Sequence, residues 1–173
     1  MTSTLPYVDP SERGPASPTT GPTTQPAEST RAAEAAEFFR RRLRFETDAS
    51  DVYAAQRAGE EFVLLDSRSA EAWAQGHAAG AIHMPTREIA DRAPGELRAG
   101  VPVVVYCWSP GCNGGVKAAL ELSLLGFEAK EMIGGFEYWA REGYPVEDGS
   151  GIHRRAVDPL TGTLSGSAAS CAC

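Results

Sequence analysis

Two hydrophobic rhythms alternate along this chain. Short β-branched runs bounded by turn residues read as buried strands, and apolar residues three or four apart read as helix faces. The clearest strand is Val103-Val104-Val105-Tyr106, and Cys107 follows it directly. A loop rich in Gly and Pro continues to Gly115, and residues 116–125 then predict a helix that stops at Gly126. A thiol is thereby set where a strand ends and a helix begins, where free N–H groups and the helix dipole favour an anion. A thiolate so placed has a lowered pKa and is a better nucleophile. The competing reading of Cys107 is a buried structural cysteine, a common core residue.

The same rhythms divide the rest of the chain. Residues 31–45 predict a helix with Ala36, Phe39 and Leu43 near one face. Its glutamates (Glu34, Glu37) come early and its arginines (Arg40, Arg41, Arg42, Arg44) late, an order that complements the dipole. The arginine cluster reads either as a solvated helix end or as a docking patch for an acidic partner or an anionic sulfur donor. Thr47 or Asp48 caps a second helix that ends at Gly59. Residues 62–66 form a strand ending in Asp66. Ser69 caps a short helix with Glu71 in its first turn and Trp73 toward the core. Residues 76–80 read as a turn, 81–85 as a strand halted by Pro85, 87–92 as a helical turn and 94–100 as a loop. Residues 127–133 predict a further strand, near a sheet edge by its charges, broken by Gly134-Gly135. Residues 136–142 make a last helix anchored by Phe136 and Trp139, and 143–146 close the domain.

This alternation predicts an α/β fold: a mostly parallel central sheet of about five strands with helices on both faces. Ligands of such sheets sit beyond the carboxyl ends of the strands, where Asp66 and Cys107 converge. The expected organisation is a disordered leader over residues 1–30, a helical extension over 31–46, the domain over 47–147 and a flexible tail over 148–173. Composition adds exclusions. A length of 173 residues with 42% apolar content suits one medium domain with extensions. The net charge of -7 argues against a nucleic-acid or anionic-membrane surface. No apolar run approaches membrane-spanning length and the N-terminus lacks a hydrophobic signal core, so a soluble, cytoplasmic chain is expected. The four cysteines, Cys107, Cys112, Cys171 and Cys173, are too bunched for a disulfide scaffold, which leaves reactive or metal-binding thiols.

Several segments in order carry a family resemblance. They are Leu65-Asp66-Ser67-Arg68; Trp73 with the Gly76–Pro85 stretch; Val104-Val105-Tyr106-Cys107; Gly126-Phe127; and Gly134-Gly135-Phe136 through Trp139 to Gly143-Tyr144-Pro145-Val146. Together they resemble a rhodanese-like domain over roughly residues 47–147. The resemblance implies a sulfurtransferase. Cys107 takes sulfane sulfur from a donor such as thiosulfate or a persulfide, holds it as a persulfide, and passes it to a thiol acceptor, small or on a protein. It implies no cofactor and no metal. N–H groups of Trp108, Ser109, Gly111, Cys112, Asn113 and Gly114 would ring the sulfur, with Pro110 stiffening the loop. Asp66, Arg68 and Lys117 would support it. Against the family pattern the loop is about two residues longer and holds no arginine; Cys112 stands at the arginine's usual count. A two-point guanidinium clamp for a sulfonate or phosphate is therefore missing, which counts against thiosulfate and against oxyanion-clamping phosphatases and arsenate reductases.

The remaining residues keep alternative readings. Cys112 is a resolving thiol or a loop filler. Asp66 orients the loop or caps backbone N–H groups, and Arg68 is a charge for the site or a structural partner of an acid. His77 reads as structural rather than as a general base, and the Trp108 ring as a wall of the pocket. Cys171-Ala172-Cys173 is a swinging thiol pair, a soft-metal site shared with Cys112, or an uninvolved tail. The rival to the enzyme is a thiol- or metal-binding or protein-interaction module.

Overall fold

The structure, a computed structural model, describes residues 25–162. Its centre is β5 (Val103–Tyr106), every residue of which is buried. Around it run β1 (Glu46–Thr47), β2 (Val63–Asp66), β4 (Ile82–His83) and β6 (Ala129–Met132), all parallel, in the order β1-β6-β5-β2-β4. Period-two alternation explains why a strand buried on both faces must be apolar throughout. Leu64, Val104 and Tyr106 face one core with Val52, Phe136, Trp139 and Tyr144. Leu65, Val103 and Val105 face the other with Ile89, Ala93, Ala118 and Leu122. The first core is roofed by α2 (Ala49–Ala58) and α6 (Gly135–Arg141), the second by α4 (Ile89–Glu96) and α5 (Gly114–Leu124). The α/β fold with helices on both faces is as the sequence predicts.

Local chemistry accounts for the boundaries. Asp48 caps α2 by accepting from the Asp51 N–H (2.9 Å), and Gly59 ends it in a left-handed turn at φ 73°. Ser69 caps α3 (Ala70–Ala74) through the Ala72 N–H.

Several expectations need correction. The first helix, α1 (Gln25–Phe45), starts six residues before position 31, so 25–30 are not leader; residues 1–24 lie outside the described residues. It crosses the boundary between two compact units, which falls after Glu37. Phe39 and Leu43, which the helical spacing puts near one face, are 56% and 77% exposed. Residues 77–78 are not merely a turn: β3 (His77–Ala78) pairs with β7 (Val146–Asp148), which pairs with β8 (Gly151–His153) in a small antiparallel sheet. That hairpin also shows that the chain stays structured past 148. Arg154 bonds the Gly143 carbonyl and the Tyr53 hydroxyl, and Arg141 pairs with Asp158. Helix α4 runs through Pro94, because burial of Ile89 and Ala93, with Leu97 just beyond, outweighs one lost backbone bond. β6 lies one strand in from the edge, near it as its charges suggest; the two-residue β1 covers it, too short to leave a sequence signal.

One buried cluster ties the carboxyl ends of β2 and β5 together. Arg68 and Asp66 form a salt bridge of 2.6 Å with both side chains at 0% exposure. Asp66 also accepts from the Tyr106 hydroxyl (2.8 Å) and the Arg68 N–H (2.9 Å), and Arg68 donates to the Gly76 carbonyl (2.8 Å). The remaining guanidinium nitrogen, Nη1, has no hydrogen-bond partner, while the group lies 4.1 Å from the Phe136 ring centre and 4.5 Å from that of Trp108. Asp66→Ala is expected to lower stability by about 3–5 kcal/mol, since it strands a buried guanidinium; chemical denaturation measures the loss.

Candidate functional site

The loop after β5 is held from behind by the first turn of α6. The Phe136 N–H donates to the Cys107 carbonyl (2.9 Å) and the Glu137 N–H to the Trp108 carbonyl (2.8 Å). Otherwise unpaired N–H groups of a helix start are thereby satisfied by the loop. The approach is close: a Cβ on Gly135, whose φ is +60°, would lie 2.6 Å from the Cys107 carbonyl oxygen. On the other side α5 begins against the thiols, where a Cβ on Gly114 would lie 2.4 Å from Cys107 Sγ. Both glycines are thus required by space.

The loop brings two free thiols together. Cys107 Sγ lies 2.9 Å from Cys112 Sγ. Cys112 Sγ also accepts from the Gly114 N–H at 3.4 Å. Burial, then the hydrogen bond to Cys112 and its charge, push the Cys107 thiol up to about 11, against the pull of the Trp108 N–H and the Ser67 hydroxyl. Cys112 also meets a burial penalty. The bond from Cys107, the Gly114 and Trp108 N–H groups and the charge of Lys117 outweigh it and bring this thiol below its ordinary value. The two sulfurs share one hydrogen bond and titrate as a pair, the first proton leaving below the ordinary thiol value and the second above it, while the Gly114 N–H at the start of α5 reaches Cys112.

Both thiols line a cleft of about 810 Å³. Ser109, Gly111 and Asn113 line it too, as do the carboxylates Glu46, Asp48, Glu131 and Glu142. Glu131 lies against the start of α5, where a Cβ on Gly115 would meet its Oε1 at 2.7 Å, so the protein's own acid occupies part of the helix start where an anion was expected. Burial first, and then Glu46, raise the Glu131 pKa. Burial first, and then Asp48, raise that of Glu142 against a hydrogen bond from Tyr144. Arg42, the one Lys or Arg among the described lining residues, is bonded through Nε and Nη2 to Glu46 at 2.7–3.0 Å.

The other expected site residues fall into distinct places. Trp108 does not wall the cleft; its ring covers Arg68 and meets Phe136 edge-on at 6.2 Å. Asp66 and Arg68 lie beneath that ring as a structural pair. Lys117 is exposed and acts on Cys112 through its charge. His77 is stacked on Trp73 at 3.3 Å with Nδ1 3.2 Å from the Trp73 carbonyl, a structural placement. Trp73, expected in the core, is half-buried between His77 and His83. Cys171 and Cys173 lie outside the described residues. Sequence reasoning missed Ser67 and the cleft acids. The signal for Ser67 was its place after Asp66 at a strand end; for Glu131 it was a charge in an otherwise strand-like run.

Comparisons with known proteins agree with this architecture. The sequence pattern described as Rhodanese-like domain matches residues 48–142. The chain is 36% identical over 96 residues to thiosulfate sulfurtransferase GlpE of Pseudomonas putida, spanning 55% of this chain and 84% of that one. It is 33% identical over 97 residues to the HTH-type transcriptional regulator Rv0324 of Mycobacterium tuberculosis, covering 56% of this chain but 42% of the regulator. The crystal structure of the BH2092 protein from Bacillus halodurans superposes with a TM-score of 0.65 at 34% identity, covering 79% of this chain and 94% of that one.

Thiolate absorbance against pH is expected to rise in two steps, one below the ordinary thiol value and one approaching about 11. In Cys112→Ser the upper step moves down, because two of the causes that raise Cys107 are gone.

Proposed function

The chain belongs to the rhodanese-like domain family, and from that premise we propose that it is a sulfurtransferase working through a persulfide on Cys107. The observation that carries the reading is the thiol pair, 2.9 Å apart, at the carboxyl end of the central strand and open to a cleft. Cys107 Sγ, as the thiolate, bonds the sulfane sulfur of the donor. The donor's leaving group departs: sulfite from thiosulfate, or a thiolate from a persulfide. A thiol acceptor, small or carried on a protein, then takes the sulfur in a second step. Residues 47–147 carry this chemistry.

The cleft lining bears on the donor. A thiosulfate dianion entering it meets the carboxylates of Glu46, Asp48, Glu131 and Glu142 and a cation already engaged by Glu46. Uncompensated like charge in a cleft costs binding. A persulfide or polysulfide of lower charge density suits this lining better. The likeness to proteins named thiosulfate sulfurtransferases supports the reaction class.

The test is to incubate Cys112→Ser with thiosulfate, methanethiosulfonate, inorganic polysulfide and glutathione persulfide, then weigh the intact chain. A gain of one sulfur atom, abolished when Cys107→Ser is added, is expected. No gain with any donor overturns the proposal. Glu131→Gln is expected to raise kcat/KM for thiosulfate about tenfold relative to polysulfide, the effect of roughly 1.4 kcal/mol of removed repulsion; paired steady-state assays report it.

A further inference from the structure

We propose that Cys107 and Cys112 act together as an internal dithiol reductant: Cys112 attacks the inner sulfur of the Cys107 persulfide, closes a Cys107–Cys112 disulfide and expels the sulfane sulfur as hydrogen sulfide. The inference rests on the sulfurtransferase reading above and adds a second activity to it, the reduction of sulfane sulfur.

Three observations carry it. The first is distance. The two Sγ atoms stand at 2.9 Å, so bond formation needs only about 0.9 Å of further approach. The loop between them closes on itself through the Cys112 N–H to the Ser109 carbonyl (3.0 Å), which holds Cys112 over Cys107. The second is the attacking group. Cys112 is the more exposed thiol of the pair, keeps the Gly114 N–H on its sulfur, and has Lys117 near it after Cys107 has become a persulfide. These are the surroundings of a thiol that ionises readily. The third is the leaving group. Attack on the outer sulfur would expel the Cys107 thiolate, whose thiol burial holds up to about 11. Attack on the inner sulfur expels hydrosulfide, a weaker base, and the weaker base leaves faster.

The balance is closed. The Cys107 persulfide and the Cys112 thiol become the Cys107–Cys112 disulfide and one molecule of hydrogen sulfide. The bond between Cys107 Sγ and the outer sulfur breaks, and the bond between the two Sγ atoms forms. The sulfane sulfur gains two electrons, the cysteine sulfurs lose two, and both protons leave on hydrogen sulfide. The protein is left oxidised, so each further cycle consumes a dithiol reductant that enters the cleft and reopens the disulfide at Cys112. In a reaction sequence this places the chain between a step that makes persulfide or polysulfide and one that supplies reduced dithiols.

The experiment uses the full chain without added thiol and methanethiosulfonate as donor. Its leaving group is a sulfinate, so all sulfide detected comes from the chain. For the wild type the expected result is one equivalent of sulfide per chain, a mass lower by two hydrogens and a Cys107–Cys112 link in the peptide map. Cys112→Ser is expected to keep the extra sulfur on Cys107 and to release sulfide about tenfold more slowly, or not at all. A wild type that holds a stable extra sulfur on Cys107, or passes it to Cys112, overturns this inference and leaves the sulfurtransferase reading standing. A link from either residue to Cys171 or Cys173 overturns it as well. If neither chain gains or discharges sulfur, both readings fall together.

Discussion

The site depends on a buried ion pair that lies outside the cleft. Asp66 and Arg68 are fully removed from solvent, and the cost of burying such a pair is offset by close geometry and further hydrogen bonds. Here Asp66 accepts from the Tyr106 hydroxyl on the neighbouring strand, and Arg68 donates to the Gly76 carbonyl. The guanidinium then presents its face to Trp108 and Phe136. One ion pair thus ties β2, β5, the start of the thiol loop and the start of α6 to a single arrangement. Burying it is costly, but every element it touches is also an element that positions Cys107.

Two helix starts meet at that loop and do different work. The first turn of α6 donates its N–H groups to the carbonyls of Cys107 and Trp108 and so fixes the backbone. The start of α5 sends the Gly114 N–H to Cys112 Sγ, and Glu131 Oε1 lies against Gly115. Neither points its donors at Cys107 Sγ alone. The thiol pair accordingly shares its first negative charge across one short contact, with the Gly114 N–H on the Cys112 side. An acid in place of a free anion site, and a second thiol at 2.9 Å, change the chemistry available to the fold while leaving its frame intact.

The frame was legible because it follows from local patterns. A run such as Val103–Tyr106 can only be a strand buried on both faces, and Asp48, Ser69 and Gly59 act within one turn of their own positions. What escaped were elements defined by partners far along the chain. β1 and β3 are two residues each and exist only through pairing with β6 and β7. Pro94 stays helical because distant side chains bury its helix. Phe39 and Leu43 have helical spacing without burial, since spacing states which face an apolar stripe occupies and not whether anything covers it.

By itself the sequence determined the α/β class, the strand-to-helix setting of Cys107 and the presence of Cys112 five residues on. These rest on periodicity and spacing, which are properties of neighbouring residues. Only the tertiary structure decided that the two thiols meet at 2.9 Å, that Glu131 lies against the start of α5, and that Trp108 turns to Arg68 and away from the cleft. Each of those depends on distances of a few ångströms between segments remote in sequence, and electrostatic energies change steeply over that range.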